Sequence, residues 1–330
     1  MTFAGSAPLS LGVEEELFLV DAQTLEPAPL GPELAAGREP RLKTELFACI
    51  AEITTPICAG PEEVLDELRG LRADVAALAE PHGAVLLASG THPTARGEGQ
   101  PIAPGPVYEE VAAQLGTGVF RQLVCGLHVH VGVAGEDSCL GALEGVLPWL
   151  PVVLSLSANS PFADGVDAGL RSARAERLAE LPSGGAPPIF RTWTDWETRT
   201  AGLDYRRLHW DVRPHPEYGT LEVRIADQQT DVRRSAAFAG LVQALVLACG
   251  EGPAEPYDRD LYAARRLRAA AEPPDTRELA AVLEPAAREL GTWELVRGLL
   301  ASRPEAERQL EVGLTAVARE LADRSLPSSA

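Results

Sequence analysis

Residues 126–132 read Gly-Leu-His-Val-His-Val-Gly, two imidazoles two positions apart in an apolar run closed by glycine at both ends. In a strand, residues i and i+2 share a face, so His128 and His130 project together while Leu127, Val129 and Val131 project the other way. A strand with one wholly apolar face lies on a core, so the chain must build a sheet whose opposite face carries ionisable groups. Taken alone, the pair fits hydrogen-bonded core histidines as well as ligands. An imidazole can bind a metal or, when protonated, touch a phosphate.

Three other segments place charge on strands that otherwise look buried, where each charged group is costly unless paired or metal-bound. In GVEEELF, alternation puts Glu14 and Glu16 on one face, about 7 Å apart along the strand. Two hard oxygen donors at that distance can hold divalent cations, although a solvent-facing edge with a charge run reads the same way. Glu45 and Glu52 follow in ELFACIAE. Seven residues is an irregular offset for a strand, so they reach one site only through a bulge, a bend or a helical piece, and surface ion pairs are the alternative. In TLEVRI, Glu222 and Arg224 share a face. They can pair with each other, or Glu222 can bind metal while Arg224 meets a phosphoryl group or a carboxylate through its planar fork.

The remaining pattern supplies helices to cover such a sheet. Residues 9–20 read as a strand, and a proline-containing loop runs to residue 40. Residues 42–57 are expected to be extended, with a helical start left open. The clearest helix is 61–80: Pro61 suits the first helical position, Glu62 and Glu63 suit the N-terminal dipole, and Val64, Leu68, Leu71, Val75 and Leu78 recur at spacings of four and three. A short strand at 84–88, a Gly/Pro-rich functional loop at 90–106 and a helix at 108–115 lead to the His-x-His strand. Asp137 or Ser138 is expected to cap a helix running towards 158, which Pro148 and Pro151 must kink or divide. Residues 182–188 are loop, 219–227 a strand, 236–248 a buried helix, and the tail from 258 onward is helical in several segments. With no repeat and no flexible linker, this predicts one α+β domain over 1–330 whose 251–330 portion is helical.

A formal charge of −19, with no basic cluster to offset it, argues against nucleic acid and anionic membrane as partners. No apolar run is expected to approach the length of a membrane span. The segment 1–20 has no basic start and its apolar run is broken by acids, which predicts a cytoplasmic chain. Cys49, Cys58, Cys125, Cys139 and Cys249 are scattered without any C-x-x-C, so they read as small buried residues rather than a disulfide frame or zinc knuckle. No G-x-x-x-x-G-K-[ST] phosphate loop occurs.

Together the blocks LGVEEELFLV, KTELFACIAEITT, SGTHP, GLHVHVG, LSANSPF and WDVRPHPEYGTLEVRIAD resemble the glutamate–cysteine ligase type 2 family, the carboxylate-amine ligases, over most of the chain. That resemblance implies a glutamine synthetase-like fold, a curved antiparallel sheet forming the active site with helices on its outer face. It implies ATP-dependent amide formation through an acyl phosphate, with Mg²⁺ or Mn²⁺, a glutamate-like acid and a cysteine-like amine as small-molecule partners, and a homodimer by analogy. Carried over by position, Glu14, Glu16, Glu45, Glu52, His128 and Glu222 would be metal ligands. His130 and Arg224 would contact nucleotide phosphate, and Arg224 and Glu45 would be the catalytic residues. His92 and Asn159 lie in matching blocks and would line the site, or else serve as a loop cap and a helix-end turn respectively. Arg171 and Arg174 would either meet anionic substrate or sit on the surface. The rival expectation from the residues alone is a zinc- or manganese-dependent hydrolase.

Overall fold

The structure, a computed structural model, describes residues 3–203, 208–252 and 257–326. Its centre is a seven-stranded sheet, antiparallel throughout, with the long strand β1 (Leu11–Asp21) as its hub. One edge of β1 pairs with β3 (Ile50–Thr54), which carries the short β2 (Leu42–Thr44) beyond it. The other edge pairs with β5 (Gly126–Gly132) along residues 11–15 and with β4 (Ala84–Leu87) along residues 18–21. β5 continues into β9 (Thr220–Asp227), and β8 (Val212–His215) closes that side. A separate two-stranded ribbon joins β6 (Phe162–Ala163) to β7 (Val166–Asp167).

Strand alternation decides which face becomes the core. Leu11, Val13, Leu17 and Leu19 of β1, Leu127, Val129 and Val131 of β5, and Leu221, Val223 and Ile225 of β9 all enter one apolar cluster. The helices α2 (Pro61–Ala79) and α8 (Val232–Cys249) pack on it and on each other. Val64, Leu68, Leu71 and Val75 form the buried stripe of α2, each side chain contributing on the order of 1.5–3 kcal/mol of burial. Pro61 begins α2 as expected, and a 3₁₀ turn at residues 80–82 with Gly83 at φ +68° carries the chain into β4. The short α1 (Gly31–Ala35) lies beside β2, and α3 (Pro106–Leu115) follows the Gly/Pro-rich loop.

Pro148 and Pro151 divide the next helical stretch, as expected, into α4 (Glu136–Val146), a 3₁₀ turn and α5 (Leu150–Ser157). The expected cap is corrected: Gly135 is the N-cap with no side-chain bond, and Asp137 and Ser138 fall inside the first turn. Together with α8, this stretch also corrects the expectation about apolar runs. Residues Glu136–Ser157 and Val232–Cys249 reach mean hydropathies of 1.7 and 1.4, enough by length and composition for a span. In both, 72% of the window is buried inside the protein, so their apolarity is that of core helices. α6 (Ala173–Ala179) and α7 (Trp193–Thr200) flank the PSGGAPP loop.

The C-terminal portion is helical, as α9 (Arg259–Ala271), α10 (Arg277–Glu289), α11 (Trp293–Leu300), α12 (Glu305–Val312) and α13 (Leu314–Ser325); residues 253–256 and 327–330 of the expected portion lie outside the described ones. These helices complete the core: α9 packs on α5, α10 and α11 on α8, and α13 on β4. All five cysteines are unpaired, four of them buried.

Residues 42–57 depart most from expectation. Instead of one extended run with a bulge or a helical piece, they form a hairpin in which residues 45–49 turn the chain between β2 and β3. Phe47 drives the turn, being fully buried in a second apolar cluster and bridged to Ile102.

Candidate active site

Register builds a line of ionisable side chains across the face of the sheet away from α2 and α8. Lys43 pairs with Glu52 across β2 and β3, and Glu52 with Glu16 across β3 and β1. Glu14 faces His128 across β1 and β5, His130 faces Glu222 across β5 and β9, and Arg213 faces Glu222 across β8 and β9. The acidic triplet is therefore no solvent-facing edge, because β1 is an inner strand paired on both sides. The hairpin turn brings Glu45 back to Glu52. These residues line one cavity of about 900 Å³.

Two donor sets converge. Glu14, His130 and Glu222 each offer an atom within 4.8 Å of the others, and so do Glu16, Glu45 and Glu52. Oxygens on opposite sides of one Mg²⁺ or Mn²⁺ stand about 4–5 Å apart, so each set has the span of a single coordination shell. The imidazole in the first set is that of His130. His128 lies between the sets, its Nδ1 3.2 Å from Glu14 and its Nε2 3.8 Å from Glu16. The Nε2 atoms of both histidines are buried without a hydrogen-bond partner among the described residues, an arrangement that a cation would satisfy.

The electrostatics differ between the sets. Burial works against ionisation of Glu14, but hydrogen bonds and charge from His128 and His130 outweigh it and hold the carboxyl well below the usual range. Glu222 is likewise held well below by Arg213, then Arg224 and His130, in spite of burial. Arg213 donates to both of its oxygens, at 2.6 and 3.2 Å, and Arg224 Nη1 donates to one. In the other set the cations do not outweigh burial. Burial and the charge of Glu52 push Glu16 up to about 7 against Arg174 and Arg224. Burial, then Glu52 and Glu16, push Glu45 well above the carboxylate range. Glu52 is raised by burial and Glu14 although Lys43 Nζ donates to it at 2.7 Å. Glu52 raises Glu16, and Glu52 with Glu16 raises Glu45, which marks a site short of positive charge, and hard oxygen donors suit Mg²⁺ or Mn²⁺. Burial, then Arg224, lowers His128 to about 3, keeping its imidazole neutral and free to donate a lone pair.

The sequence model of glutamate-cysteine ligase family 2 matches residues 10–323. The chain belongs to this family. A Rubrobacter xylanophilus protein named "Putative glutamate--cysteine ligase 2-3" is 37% identical over 94% of this chain and 94% of its own. A Bdellovibrio bacteriovorus protein named "Putative glutamate--cysteine ligase 2" is 34% identical over 74% of this chain and 67% of its own. The fold is that of a solved Francisella tularensis glutamate–cysteine ligase in complex with AMP, with a TM-score of 0.66, 14% identity, and 99% of this chain and 91% of that one covered. A bifunctional glutathione synthetase from Pasteurella multocida gives a TM-score of 0.69 at 17% identity, over 96% of this chain and 51% of that one.

Within this glutamate–cysteine ligase family member, several block residues support the site from outside it. His92 is a buried neutral ring, its Nε2 2.9 Å from the Leu25 carbonyl and its Nδ1 accepting from Ala95 N at 3.0 Å. Asn159 donates to Gln228 O and Thr230 Oγ1 and accepts from Gln309. Arg171 donates to Glu307 and to the Ala271 carbonyl, tying the tail to the SANSP block. Arg174 does line the cavity, held by the Arg224 and Ile225 carbonyls at 3.2 Å. Lys43 and Arg213 escaped the sequence reading. Lys43 stands two residues from Glu45 in LKTE and Arg213 opens the RPHPEYGTLE turn, but their partners become visible only once the hairpins are paired.

Proposed function

We propose that the protein is an ATP-dependent carboxylate–amine ligase, similar to glutamate–cysteine ligase, that joins a glutamate-like acid to the amine of an amino acid through an acyl phosphate. The observation that carries the reading is the convergence of two carboxylate-rich donor sets in one cavity with Lys43, Arg174, Arg213 and Arg224 on its walls. Family membership points the same way. Glu14, His130 and Glu222 would hold one Mg²⁺ or Mn²⁺, and Glu16, Glu45 and Glu52 a second, with His128 Nε2 in reach of the latter. Bound ions would supply Lewis-acid charge to the phosphates of ATP.

In the first step a carboxylate oxygen attacks the γ-phosphorus, the bond to the bridging oxygen breaks, and ADP leaves. In the second the amine nitrogen attacks the acyl carbon, phosphate departs with the bonding electrons, and the nitrogen loses its proton. Arg224, the more accessible of the two guanidiniums on Glu222, has the fork geometry to face the transferred phosphoryl group. The phosphate contact that the resemblance gives to His130 is better assigned to Arg224, since His130 sits inside a donor set. Glu45 is proposed as a catalytic residue through its place in the second set. Glu52, His128, His130, Arg213 and Glu222 are buried, so charge there acts with little reorganisation of water. Reliance on ATP suits a cytoplasmic enzyme.

The hydrolase reading gains no specific support, because five carboxylates dominate the donor sets. The test is a screen of amino acids with ATP, Mg²⁺ and hydroxylamine. An acyl hydroxamate formed in equal amount with ADP is the expected result. ADP release that ignores the acid, or none with any acid, overturns the reading.

A further inference from the structure

The cavity in front of the sheet is not polar throughout. On α3, Val107, Val111 and Leu115 stand at spacings of four, one above another on one face, and all three line the cavity. All three are half-buried, none fully. The Tyr108 hydroxyl donates to the Thr44 carbonyl at 2.6 Å and ties this helix to the end of β2. Leu178, in the last turn of α6, and Leu181 just beyond it line the same cavity, Leu178 one turn further along than Arg174. A helical turn rises about 5.4 Å, so the aliphatic region begins roughly that far from the charged end.

Gln122 belongs to the same lining and is only 7% exposed. Its Nε2 donates to the Arg177 carbonyl at 3.2 Å, which sets the orientation of the amide. That leaves Oε1 as a buried acceptor with no partner among the described residues. An orphaned carbonyl oxygen and a half-covered aliphatic row lining one cavity are a polar and an apolar deficit in the same space. One ligand removes both if it carries an N–H group next to a large hydrocarbon side chain.

We propose that the amine substrate of this ligase is an amino acid with a large apolar side chain, its nitrogen donating to Gln122 Oε1 and its side chain lying between α3 and the Leu178–Leu181 wall. The proposal rests on the ligase reading. The acid's carboxylate belongs with the donor sets at the charged end, so the aliphatic wall suits the side chain of the second substrate, whose nitrogen would lie between that wall and the acyl group. Cysteine, with a single sulfur beyond its β-carbon, would leave most of the aliphatic wall uncovered.

The test uses the full chain with ATP, Mg²⁺ and whichever acid yields most hydroxamate in the trapping screen. ADP release and amide product are followed with glycine, alanine, cysteine, methionine, leucine and phenylalanine as amines. kcat/KM is expected to rise about 10- to 100-fold from alanine to the best apolar amine. Val111→Asp should raise KM for that amine at least about 10-fold and leave KM for ATP in place. Because α3 is half-exposed, the variant should fold, and circular dichroism checks this; Val111→Ala gives the same direction more weakly. A flat panel, or preference for cysteine or glycine, overturns the proposal while the hydroxamate result keeps the ligase reading intact. A rise in KM for ATP alone also overturns it, placing the nucleobase on this wall. Failure to form hydroxamate with any acid removes both.

Discussion

Beneath the candidate site, Glu15 points the other way from Glu14 and Glu16, into the layer between the sheet and its helices, where it and Arg72 are both fully buried. Arg72 Nε and Nη2 donate to the two carboxylate oxygens, each at 2.7 Å. Its remaining protons go to the carbonyls of Gln229, Thr230 and Ser325, so all five donors are used. Arg72→Met nearly keeps the volume but, among the described residues, leaves the Glu15 charge with only Gln228 and Ser235. Removing one partner of such a pair costs about 3–5 kcal/mol. With an unfolding entropy of about 2.1 cal/mol/K per residue over the 330 residues, Tm should fall by about 4–7 °C. Urea unfolding followed by circular dichroism and tryptophan fluorescence gives the free energy directly, with an unchanged m-value. The double variant Glu15→Met/Arg72→Met loses the stranded charge and should be at least about 1 kcal/mol more stable than the sum of the two single changes predicts. A loss below about 1 kcal/mol for Arg72→Met, or strict additivity in the double variant, would refute the idea that an unpaired buried charge is what matters.

Three further outcomes follow from the same geometry. A Cβ on Gly126 would overlap Arg174 Nη2 and stand 2.9 Å from His128 Nε2, so Gly126→Ala should lower kcat/KM at least about 10-fold by displacing both, as steady-state kinetics will show. Mg²⁺ at a hundred times its Kd should stabilise the protein by about 2.7 kcal/mol; Glu222→Gln should need at least ten times more ion for the same thermal shift, and an equal response would remove Glu222 from the metal set. Burial lowers His92 to about 4, so the unfolded chain takes up a proton near pH 6.5 that the folded chain refuses. Stability present above pH 6.5 should therefore decline by about 3 kcal/mol as pH falls through 4, and His92→Asn should flatten that limb in urea titrations at stepped pH.

The alternations Glu14-x-Glu16, His128-x-His130 and Glu222-x-Arg224 were legible because the two-residue period is a property of one strand's own backbone, as was the apolar stripe of α2. So were the breaks at Pro148 and Pro151, where the ring removes a donor whatever surrounds it. Glu45 and Glu52 could be named, but the turn that unites them depends on Phe47 finding a distant pocket lined by Ile102 and its neighbours. The irregularity between β5 and β9 at Leu127 and Val129, which puts Asp227 opposite Gly126, has no local signature either. Arg213 on Glu222, Arg174 beside Gly126, and Arg72 on Glu15 are pairings across 9, 48 and 57 positions of chain. Side-chain period is decided by sterics within a few residues. Register and partner choice are decided by how all the elements share one core, a sum over non-local contacts that no short stretch of the chain contains.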